Sequence, residues 1–327
     1  MALIDNHGRI VNYLRLAVTD RCNLRCHYCI PEEKNEWLPR NELLTYEEML
    51  RIASIAANLG VDKVRITGGE PFIRKDLMKF IHKLSGIVKN ITITTNGILT
   101  APFIPALREC GIASVNLSLD TLNRERFRQI TRRDELPAVL NTLELLKIYG
   151  FEVKLNVVVM DGKNIEDIHG LVALTKNENI SVRFIEEMPF NGKGNIHSGI
   201  KWNHKKILDY IKDAYPSIEK ISDPPFSTSY NYKISGHIGT VGVIAAYSRS
   251  FCGTCNRLRI TPQGLLKTCL YDHGVLNVRD LLRENKSNEE ISDEIISAVL
   301  RRSKNGIEAE KLYLKDQLHE SMAVIGG

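Results

Sequence analysis

The feature that most restricts the fold is a repeated alternation of strand and helix patterns over residues 1–190. Short runs rich in Val, Ile, Leu and Thr predict strands at Leu14–Thr19, Lys63–Thr67, Asn90–Thr95, Ser114–Leu119, Glu152–Met160 and Ser181–Ile185. Several runs lack polar alternation, which suits parallel strands covered by helices. Right-handed crossovers between such units favour a parallel α/β barrel or a partial one, with a doubly wound open sheet as the alternative.

Helical patterns separate these strands, and the pattern changes in the second half of the chain. The first helix is predicted to begin at a capping box, Thr45 to Glu48. After Met188 we expect a loop over Pro189–Gly199, a helix over Lys201–Tyr215 and an irregular segment over Ser222–Ser235. A strand or hairpin arm over His237–Tyr247 follows. We therefore predict two regions, residues 1–190 and residues 191–327.

Composition excludes several classes of protein. The net charge of +5 and the 7% aromatic content are too low for a nucleic-acid-binding protein, although they tolerate an anionic substrate. No apolar run approaches the roughly 18 residues that cross a membrane, and the N-terminus does not read as a signal peptide. We therefore expect a cytoplasmic protein with no membrane partner. Thiols stay reduced there, so the seven cysteines indicate metal ligands rather than disulfides.

The first cysteine group is Cys22, Cys26 and Cys29, directly after the first predicted strand. Three thiolates at this spacing can wrap one face of a cubane iron–sulfur cluster, which usually takes four cysteine ligands. One iron would then be free to bind a small molecule. The alternative is a zinc knuckle with His27 as the fourth ligand, although His27 is crowded between Cys26 and Tyr28.

The second cysteine group is Cys252, Cys255 and Cys269, separated by a predicted hairpin turn at Thr261–Gly264. It indicates a second three-cysteine cluster, or a zinc site completed by His273. Strand alternation places Arg257 and Arg259 on one face, where two guanidinium forks suit a phosphate chain. The chain has no phosphate-binding loop of the G-x4-G-K-[ST] type.

The first cysteine group, with Tyr28 before its last cysteine, resembles the radical S-adenosylmethionine (SAM) enzymes. Supporting strand-end motifs are Gly68–Pro71, Thr94–Gly97 and Ser118–Asp120, and the glycines of the first let the backbone approach a ligand closely. The resemblance implies a partial (βα)6 parallel barrel of the radical SAM type. It also implies a [4Fe–4S] cluster whose open iron chelates SAM, which is reductively cleaved to a 5′-deoxyadenosyl radical.

Both cysteine groups together, the motif Arg183–Glu186 and the terminal Gly326-Gly327 resemble the GTP 3′,8-cyclase family of molybdenum-cofactor biosynthesis. The resemblance implies a C-terminal extension, residues 191–327, that carries an auxiliary [4Fe–4S] cluster, binds substrate and ends in a flexible Gly-Gly tail. The expected lyase reaction abstracts hydrogen from ribose C3′ of GTP and yields (8S)-3′,8-cyclo-7,8-dihydroguanosine 5′-triphosphate. The implied partners are GTP, an external electron donor, a downstream cyclic pyranopterin monophosphate synthase and a second copy in a homodimer.

The resemblance also implies residue roles. Cys22, Cys26 and Cys29 would hold the SAM cluster. Cys252, Cys255 and Cys269 would hold the auxiliary cluster, whose open iron binds guanine. SAM contacts would be Tyr28, Gly69, Ser118 and Met188. GTP contacts would be Arg15, Arg65, Thr94, Lys154, Arg257, Leu258 and Arg259. Gly326 and Gly327 would enter the active site and assist catalysis.

Two other functions remain open from the sequence. One is a different radical SAM enzyme with an auxiliary cluster, such as a peptide-modifying maturase, although such enzymes usually carry more cysteines near the C-terminus. The other is a non-catalytic zinc or nucleic-acid-binding module. That module needs a basic stripe with aromatic stacking residues, which this composition argues against.

Overall fold

The computed structural model describes residues 2–30, 37–188, 190, 200–313 and 321–326. Its central strands are parallel neighbours in chain order: β1 (Tyr13–Ala17), β2 (Lys63–Thr67), β3 (Asn90–Thr95), β4 (Ser114–Ser118), β5 (Glu152–Val159) and β6 (Ile180–Glu186). All six predicted strands are confirmed, with ends that differ by at most two residues. The predicted parallel α/β fold is therefore correct.

Helices connect these strands: α1 (Tyr46–Asn58), α2 (Leu77–Ser85), α3 (Ile104–Glu109), α4 (Arg124–Thr131), α5 (Leu136–Ile148) and α6 (Asp167–Ala173). The predicted capping box begins α1, because the Glu48 amide donates to Thr45 Oγ1 at 3.1 Å and the Thr45 amide donates to Glu48 at 2.7 Å. The sequence patterns missed α4. It is short and strongly polar, and Phe127 and Ile130 are its buried apolar residues.

Strands from the second half of the chain extend the sheet at both ends. Next to β6 lie β9 (Thr240–Ile244), β8 (Ser229–Ile234) and β7 (Ile218–Lys220). Next to β1 lie β10 (Arg257–Ile260), β11 (Leu265–Lys267) and β12 (Leu276–Asn277). β9 is parallel to β6 and β10 is parallel to β1, and every pairing outward from β9 and β10 is antiparallel. The two predicted regions share this sheet, so the boundary at residue 190 stays a prediction.

The predicted irregular segment Ser222–Ser235 contains β8, so this prediction was wrong for its second half. The strand pairs with β9 through Asn231 opposite Gly242. A Cβ at Gly242 would lie 2.3 Å from Ser229 Oγ, so the two strands meet through small and polar residues. Period-two apolar alternation, the usual sequence signal of a strand, is therefore weak here.

The remaining helices are α7 (His204–Ala214), α8 (Val278–Arg283), α9 (Asn288–Leu300), α10 (Gly306–Tyr313) and α11 (Met322–Ile325). The predicted hairpin between β10 and β11 is confirmed, and its turn closes by a 2.9 Å hydrogen bond from the Gly264 amide to the Thr261 carbonyl. Among the described helices, none has the length and apolar character to cross a bilayer.

Candidate active site

A cavity of about 420 Å³ lies against the inner face of the parallel strands. This volume is typical of a small-molecule site. Each parallel strand contributes to its wall: Arg15, Arg65, Thr94, Asn116, Lys154, Arg183, Ile244 and Arg257 come from successive members of the set. The curvature of one sheet therefore brings side chains from distant parts of the chain to a single site.

The first cysteine group lies in the wall of this cavity, with all three of Cys22, Cys26 and Cys29 lining it. A 3.0 Å hydrogen bond from the Cys29 amide to the Cys26 carbonyl closes the turn between them. Burial raises the pKa of Cys22 to about 11 and that of Cys29 to about 12. Thiolates in this place need a positive partner, and iron supplies one. The three cysteines in this wall therefore fit the donor set of an iron–sulfur cluster.

The loop that carries Cys22 is fixed to the end of β2. Gly69 donates its amide to the Thr19 carbonyl at 2.8 Å. A Cβ at Gly68 would lie 2.4 Å from Thr19 O, and one at Gly69 would lie 2.2 Å from Arg21 O. Both glycines are thus required by close backbone packing against the cysteine loop, where the sequence had indicated close approach to a ligand.

The buried carboxylate of Glu70 connects the ends of β2 and β3 at the same edge of the sheet. Glu70 accepts hydrogen bonds from the amides of Asn96 (2.7 Å) and Phe72 (3.2 Å) and from the Thr95 hydroxyl (2.9 Å). Asn96 Nδ2 in turn donates to Cys22 Sγ at 3.7 Å. The ends of β2 and β3 therefore hold the first cysteine group from one side.

The zinc alternatives gain no geometric support. The two ring nitrogens of His27 contact the Gln129 carbonyl (2.7 Å) and Arg132 Nη2 (2.9 Å). Across the described ranges, no three His, Cys, Asp or Glu side chains are arranged to hold a single metal ion, His273 included. A cubane cluster, by contrast, contains several iron atoms, so its cysteine ligands surround the cluster core rather than meet at one metal ion.

The four residues predicted to contact SAM line the same cavity as the cysteines: Tyr28, Gly69, Ser118 and Met188. The Tyr28 hydroxyl donates to Asp120 Oδ2 at 2.9 Å, and the Val158 amide donates to Asp120 Oδ1 at 2.8 Å. Burial raises the pKa of Asp120 to about 6. The Tyr28 ring is thus held in place beside the cysteines, and the contact roles of these residues stay predictions.

The predicted GTP contacts are also brought to this wall, with one exception. Arg15, Arg65, Thr94, Lys154, Arg257 and Arg259 all line the cavity. Leu258 does not, because it lies between Arg257 and Arg259 on β10 and its side chain packs in the hydrophobic core. The structure therefore gives no support to a side-chain contact between Leu258 and substrate.

Several lining residues were not among the predicted contacts, and they include Tyr13, Lys63 and Arg183. Tyr13 and Lys63 carried a signal in the sequence, since they stand two positions before Arg15 and Arg65 on the same strands. Alternate strand residues share a face, so each predicted cation indicated its neighbour. Arg183 carried the same kind of signal as Arg65, a cation inside an apolar strand pattern.

The cationic side chains of this wall are buried together. Burial lowers the pKa of Arg15 to about 10, and the nearby charges of Arg65 and Arg257 act in the same direction. Burial likewise lowers the pKa of Arg65 and of Arg183. In the described chain, Arg15 Nε and Thr94 Oγ1 are buried and have no hydrogen-bond partner. Buried donors without partners are costly, which indicates that a polyanionic ligand completes the site.

The second cysteine group borders the cavity through its neighbours. Phe251, Leu270 and Arg257 line the cavity, whereas Cys255 accepts hydrogen bonds on Sγ from Arg257 (3.3 Å) and Arg302 (3.0 Å). Burial opposes ionisation of Cys255, but Arg257 and Arg302 outweigh it and lower the pKa to about 6.

The other two cysteines complete this group. Cys252 begins the short turn that ends at Cys255, whose amide donates to the Cys252 carbonyl at 3.3 Å. The Cys269 amide donates to Asp272 Oδ2 at 2.7 Å, and burial raises the pKa of Cys269 to about 11. All three thiols are half-buried, so the donor set also fits an iron–sulfur cluster.

The C-terminal tail lies inside the site. The Ser321 hydroxyl donates to the Cys29 carbonyl, and Met322 lines the cavity. After α11 the chain turns at Gly326, whose carbonyl accepts a hydrogen bond from Arg259. The tail therefore runs from the first cysteine group to the cationic wall. Gly327, the other predicted catalytic residue, lies outside the described residues.

A parallel α/β sheet with a three-cysteine loop after its first strand defines a radical SAM protein. Residues 16–175 match the Radical SAM superfamily. Two structures of Streptococcus suis SuiB share the fold. One has a TM-score of 0.64 and 16% identity over 96% of this chain and 77% of that chain. The other, bound to S-adenosylmethionine, has a TM-score of 0.62 and 17% identity over 89% and 69%.

The comparisons also identify the family. Residues 180–307 match the family Molybdenum Cofactor Synthesis C. The chain is 40% identical to the GTP 3′,8-cyclase of Geobacter sulfurreducens over 100% of both chains. It is 40% identical to the mitochondrial GTP 3′,8-cyclase of Arabidopsis thaliana over 99% of this chain and 83% of that protein. The chain therefore belongs to the GTP 3′,8-cyclase family.

Some relatives are longer. The mouse molybdenum cofactor biosynthesis protein 1 is 42% identical over 92% of this chain, but the match covers 48% of the mouse protein. The human protein of the same name is 40% identical over 92% of this chain, and the match covers 48% of the human protein. The chain thus spans about half the length of these animal relatives.

Proposed function

We propose that the chain converts GTP to (8S)-3′,8-cyclo-7,8-dihydroguanosine 5′-triphosphate, the first step of molybdenum-cofactor biosynthesis. One observation carries the proposal: a buried cationic wall and a three-cysteine loop line the same cavity. The cysteines supply a place for radical generation, and the cations supply a place for a triphosphate. The substrate and the radical source would then share one enclosed volume.

Two [4Fe–4S] clusters would be held by this chain. Cys22, Cys26 and Cys29 would bind one, and Cys252, Cys255 and Cys269 the other. With SAM bound, the first cluster would supply the radical chemistry for hydrogen abstraction from the ribose. Tyr28, Gly69, Ser118 and Met188 would position SAM between that cluster and the cationic wall. All four line the cavity, which supports this assignment.

The cationic wall would bind and orient the triphosphate. Arg15 has a buried Nε without a hydrogen-bond partner in the described chain, so it has a donor to offer. Arg65, Arg257 and Arg259 add positive charge on the two strands that flank β1, and Lys154 adds one on β5. Guanidinium groups bind phosphate oxygens through two parallel hydrogen bonds, which fixes orientation as well as position. Fixed orientation is what brings the C3′ hydrogen of the ribose to a defined place.

The C-terminal tail would exclude water and complete the wall. Gly326 is packed against Thr67 and Ala17, and its carbonyl accepts the Arg259 hydrogen bond. A tail at this place restrains Arg259, one of the cations that would meet substrate. Exclusion of water also protects a reactive radical from side reactions.

The experiment is an anaerobic assay of the reconstituted chain with SAM and dithionite, in the presence and absence of GTP. We expect 5′-deoxyadenosine and a cyclised nucleotide to form together, and only when GTP is present. Cys26→Ala should form neither product. Cys110→Ala is the matched control, because Cys110 lies in neither group, and it should retain both products.

An equal yield of 5′-deoxyadenosine with and without GTP would contradict the proposal and favour a radical SAM enzyme that acts on another substrate, such as a peptide. The homodimer, the external electron donor and the downstream cyclic pyranopterin monophosphate synthase stay predictions from the family resemblance.

A further inference from the structure

A buried ion network joins the N-terminal segment to the second cysteine group. Asp5 Oδ2 lies 2.6 Å from Arg9 Nε and 3.5 Å from Arg302 Nη1. The side chains of Asp5, Arg9 and Arg302 are 0%, 7% and 3% exposed. Two cations and one carboxylate are rarely buried together without a structural reason, because removing charges from water is unfavourable.

The guanidinium group of Arg302 donates hydrogen bonds to Cys255. Its Nη2 donates to Cys255 Sγ at 3.0 Å and to the Arg257 carbonyl at 3.2 Å, while its Nη1 donates to the Cys255 carbonyl at 2.9 Å. The planar guanidinium group of Arg302 therefore holds both the main chain and the sulfur of Cys255 in place. Arg302 does not line the cavity, so it is separable from the cations that face substrate.

The second arginine of the network holds the other end of the cysteine turn. Arg9 Nη1 donates to the Cys252 carbonyl at 3.0 Å and to the Lys304 carbonyl at 2.8 Å. Arg9 Nη2 donates to the Ser303 carbonyl at 2.8 Å. Asp5 thus orients the guanidinium groups of Arg9 and Arg302. Arg9 contacts Cys252 and Arg302 contacts Cys255, although the two arginines are far apart in the sequence.

A hydrogen bond from a cation to a cluster sulfur affects the cluster's electronic state. Hydrogen bonds to the sulfurs and local net charge set the reduction potential of an iron–sulfur cluster. Reduction adds an electron, and a fixed positive charge beside the sulfur stabilises the more negative, reduced state. A residue in the position of Arg302 should therefore raise the potential.

We propose that Arg302, oriented by Asp5, is a positioning residue for the auxiliary cluster that raises its reduction potential through Cys255. The proposal rests on the proposed function, since it requires a cluster at Cys252, Cys255 and Cys269. It assigns a task to the N-terminal segment, which nothing in the substrate cavity explains.

The experiment is a redox titration of the anaerobically reconstituted holoenzyme with dithionite, followed by electron paramagnetic resonance. The component that persists when Cys22, Cys26 and Cys29 are replaced by alanine belongs to the auxiliary cluster. In Arg302→Gln the ratio of oxidised to reduced auxiliary cluster at fixed potential should rise about tenfold, a downward shift of ~59 mV for a one-electron couple. The other cluster should keep its potential.

Arg301→Gln is the matched control, because Arg301 is the exposed neighbour and contacts Ser297. Equal auxiliary potentials in Arg302→Gln and Arg301→Gln would overturn the inference. Should Arg302→Gln not retain iron, Arg302→Met decides, since an apolar side chain of similar length removes both the charge and the hydrogen bonds and is tolerated in a buried position. A potential below that of the control supports the inference, and an unchanged potential rejects it. Absence of auxiliary iron from the chain with its natural Arg302 would instead contradict the proposed function.

Discussion

Arg259 donates a hydrogen bond to the carbonyl of Gly326, a residue 67 positions later in the chain. The contact brings the C-terminal tail against a cation of the substrate wall. Gly326 has φ of +79°, and a Cβ there would lie 2.8 Å from Thr67 Cγ2. Both the backbone conformation and the available space therefore require glycine.

The first prediction concerns this glycine. Gly326→Ala should lower the turnover rate roughly 10- to 100-fold, because displacing the tail displaces Arg259. Removing Gly326 and Gly327 together should act in the same direction. The measurement is the initial rate of nucleotide cyclisation at saturating GTP, with iron content checked for each variant.

The control is Gly162→Ala. Gly162 has φ of +65°, and a Cβ there would meet nothing within 4 Å. It therefore carries similar backbone strain without the crowding. A full turnover rate in Gly326→Ala, or an equal loss in both variants, would show that the tail contact has no part in the reaction.

The second prediction concerns Arg15. Replacing a charge-assisted contact worth about 1.5–3 kcal/mol should weaken GTP binding roughly 10- to 150-fold in Arg15→Gln. Equilibrium dialysis of the holoenzyme under anaerobic conditions measures this directly. Arg133→Gln, an exposed arginine whose side chain donates to the Arg132 carbonyl, should bind GTP as the unmodified chain does. Unchanged affinity in Arg15→Gln would remove Arg15 from the substrate site.

The third prediction is a pH dependence of GTP binding. Burial raises the pKa of Tyr13, but Arg65, Arg15, Lys63 and Arg257 outweigh it and lower the pKa to about 8. Below this pH the phenol is neutral and leaves the surrounding positive charge intact. Above it, the phenolate cancels part of that charge and repels a triphosphate. Affinity should therefore fall as pH rises, by up to about tenfold per unit beyond the pKa.

The measurement is the dissociation constant of GTP between about pH 7 and pH 9. Tyr13→Phe should abolish the fall, whereas Tyr46→Phe, which alters a tyrosine outside the cavity wall, should retain it. A fall that persists in Tyr13→Phe would assign the dependence to another group.

The fourth prediction concerns Glu70. Its carboxylate accepts three hydrogen bonds. In Glu70→Gln the side-chain NH2 group would face one of these three donors, so that hydrogen bond would be lost. An unmet buried hydrogen bond costs about 1–3 kcal/mol, so denaturant unfolding should show a loss of that size. Glu166→Gln, which alters a carboxylate that is 82% exposed, should lose no more than about 1 kcal/mol. Equal stability of the two variants would show that the hydrogen bonds of Glu70 do not stabilise the ends of β2 and β3.

Sequence patterns predicted the parallel strands well because their apolar runs reflect burial on both faces. They also predicted the two cysteine groups, since each group is local in the chain. Arg257 and Arg259 were placed on one face by simple alternation, and both line the cavity. The strand β8 was missed because its interface with β9 is polar and depends on a small residue, Gly242.

Long-range contacts were beyond reach of pattern reasoning. Arg302 and Cys255 are 47 positions apart, and neither the spacing nor the residue types indicate that they meet. Leu258 was placed with the substrate contacts through its neighbours, whereas its alternate position on the strand sends its side chain to the core. The glycines at the end of β2 carried a clear signal of close approach, but only the fold shows what approaches them.

In the proposed reaction GTP and the radical source occupy one cavity, so that hydrogen leaves ribose C3′. The most direct measurement is a single anaerobic turnover with GTP deuterated at C3′, followed by mass spectrometry of the 5′-deoxyadenosine. We expect one deuterium in that product, and none when the label is at C2′. Unlabelled 5′-deoxyadenosine formed with C3′-deuterated GTP would contradict it.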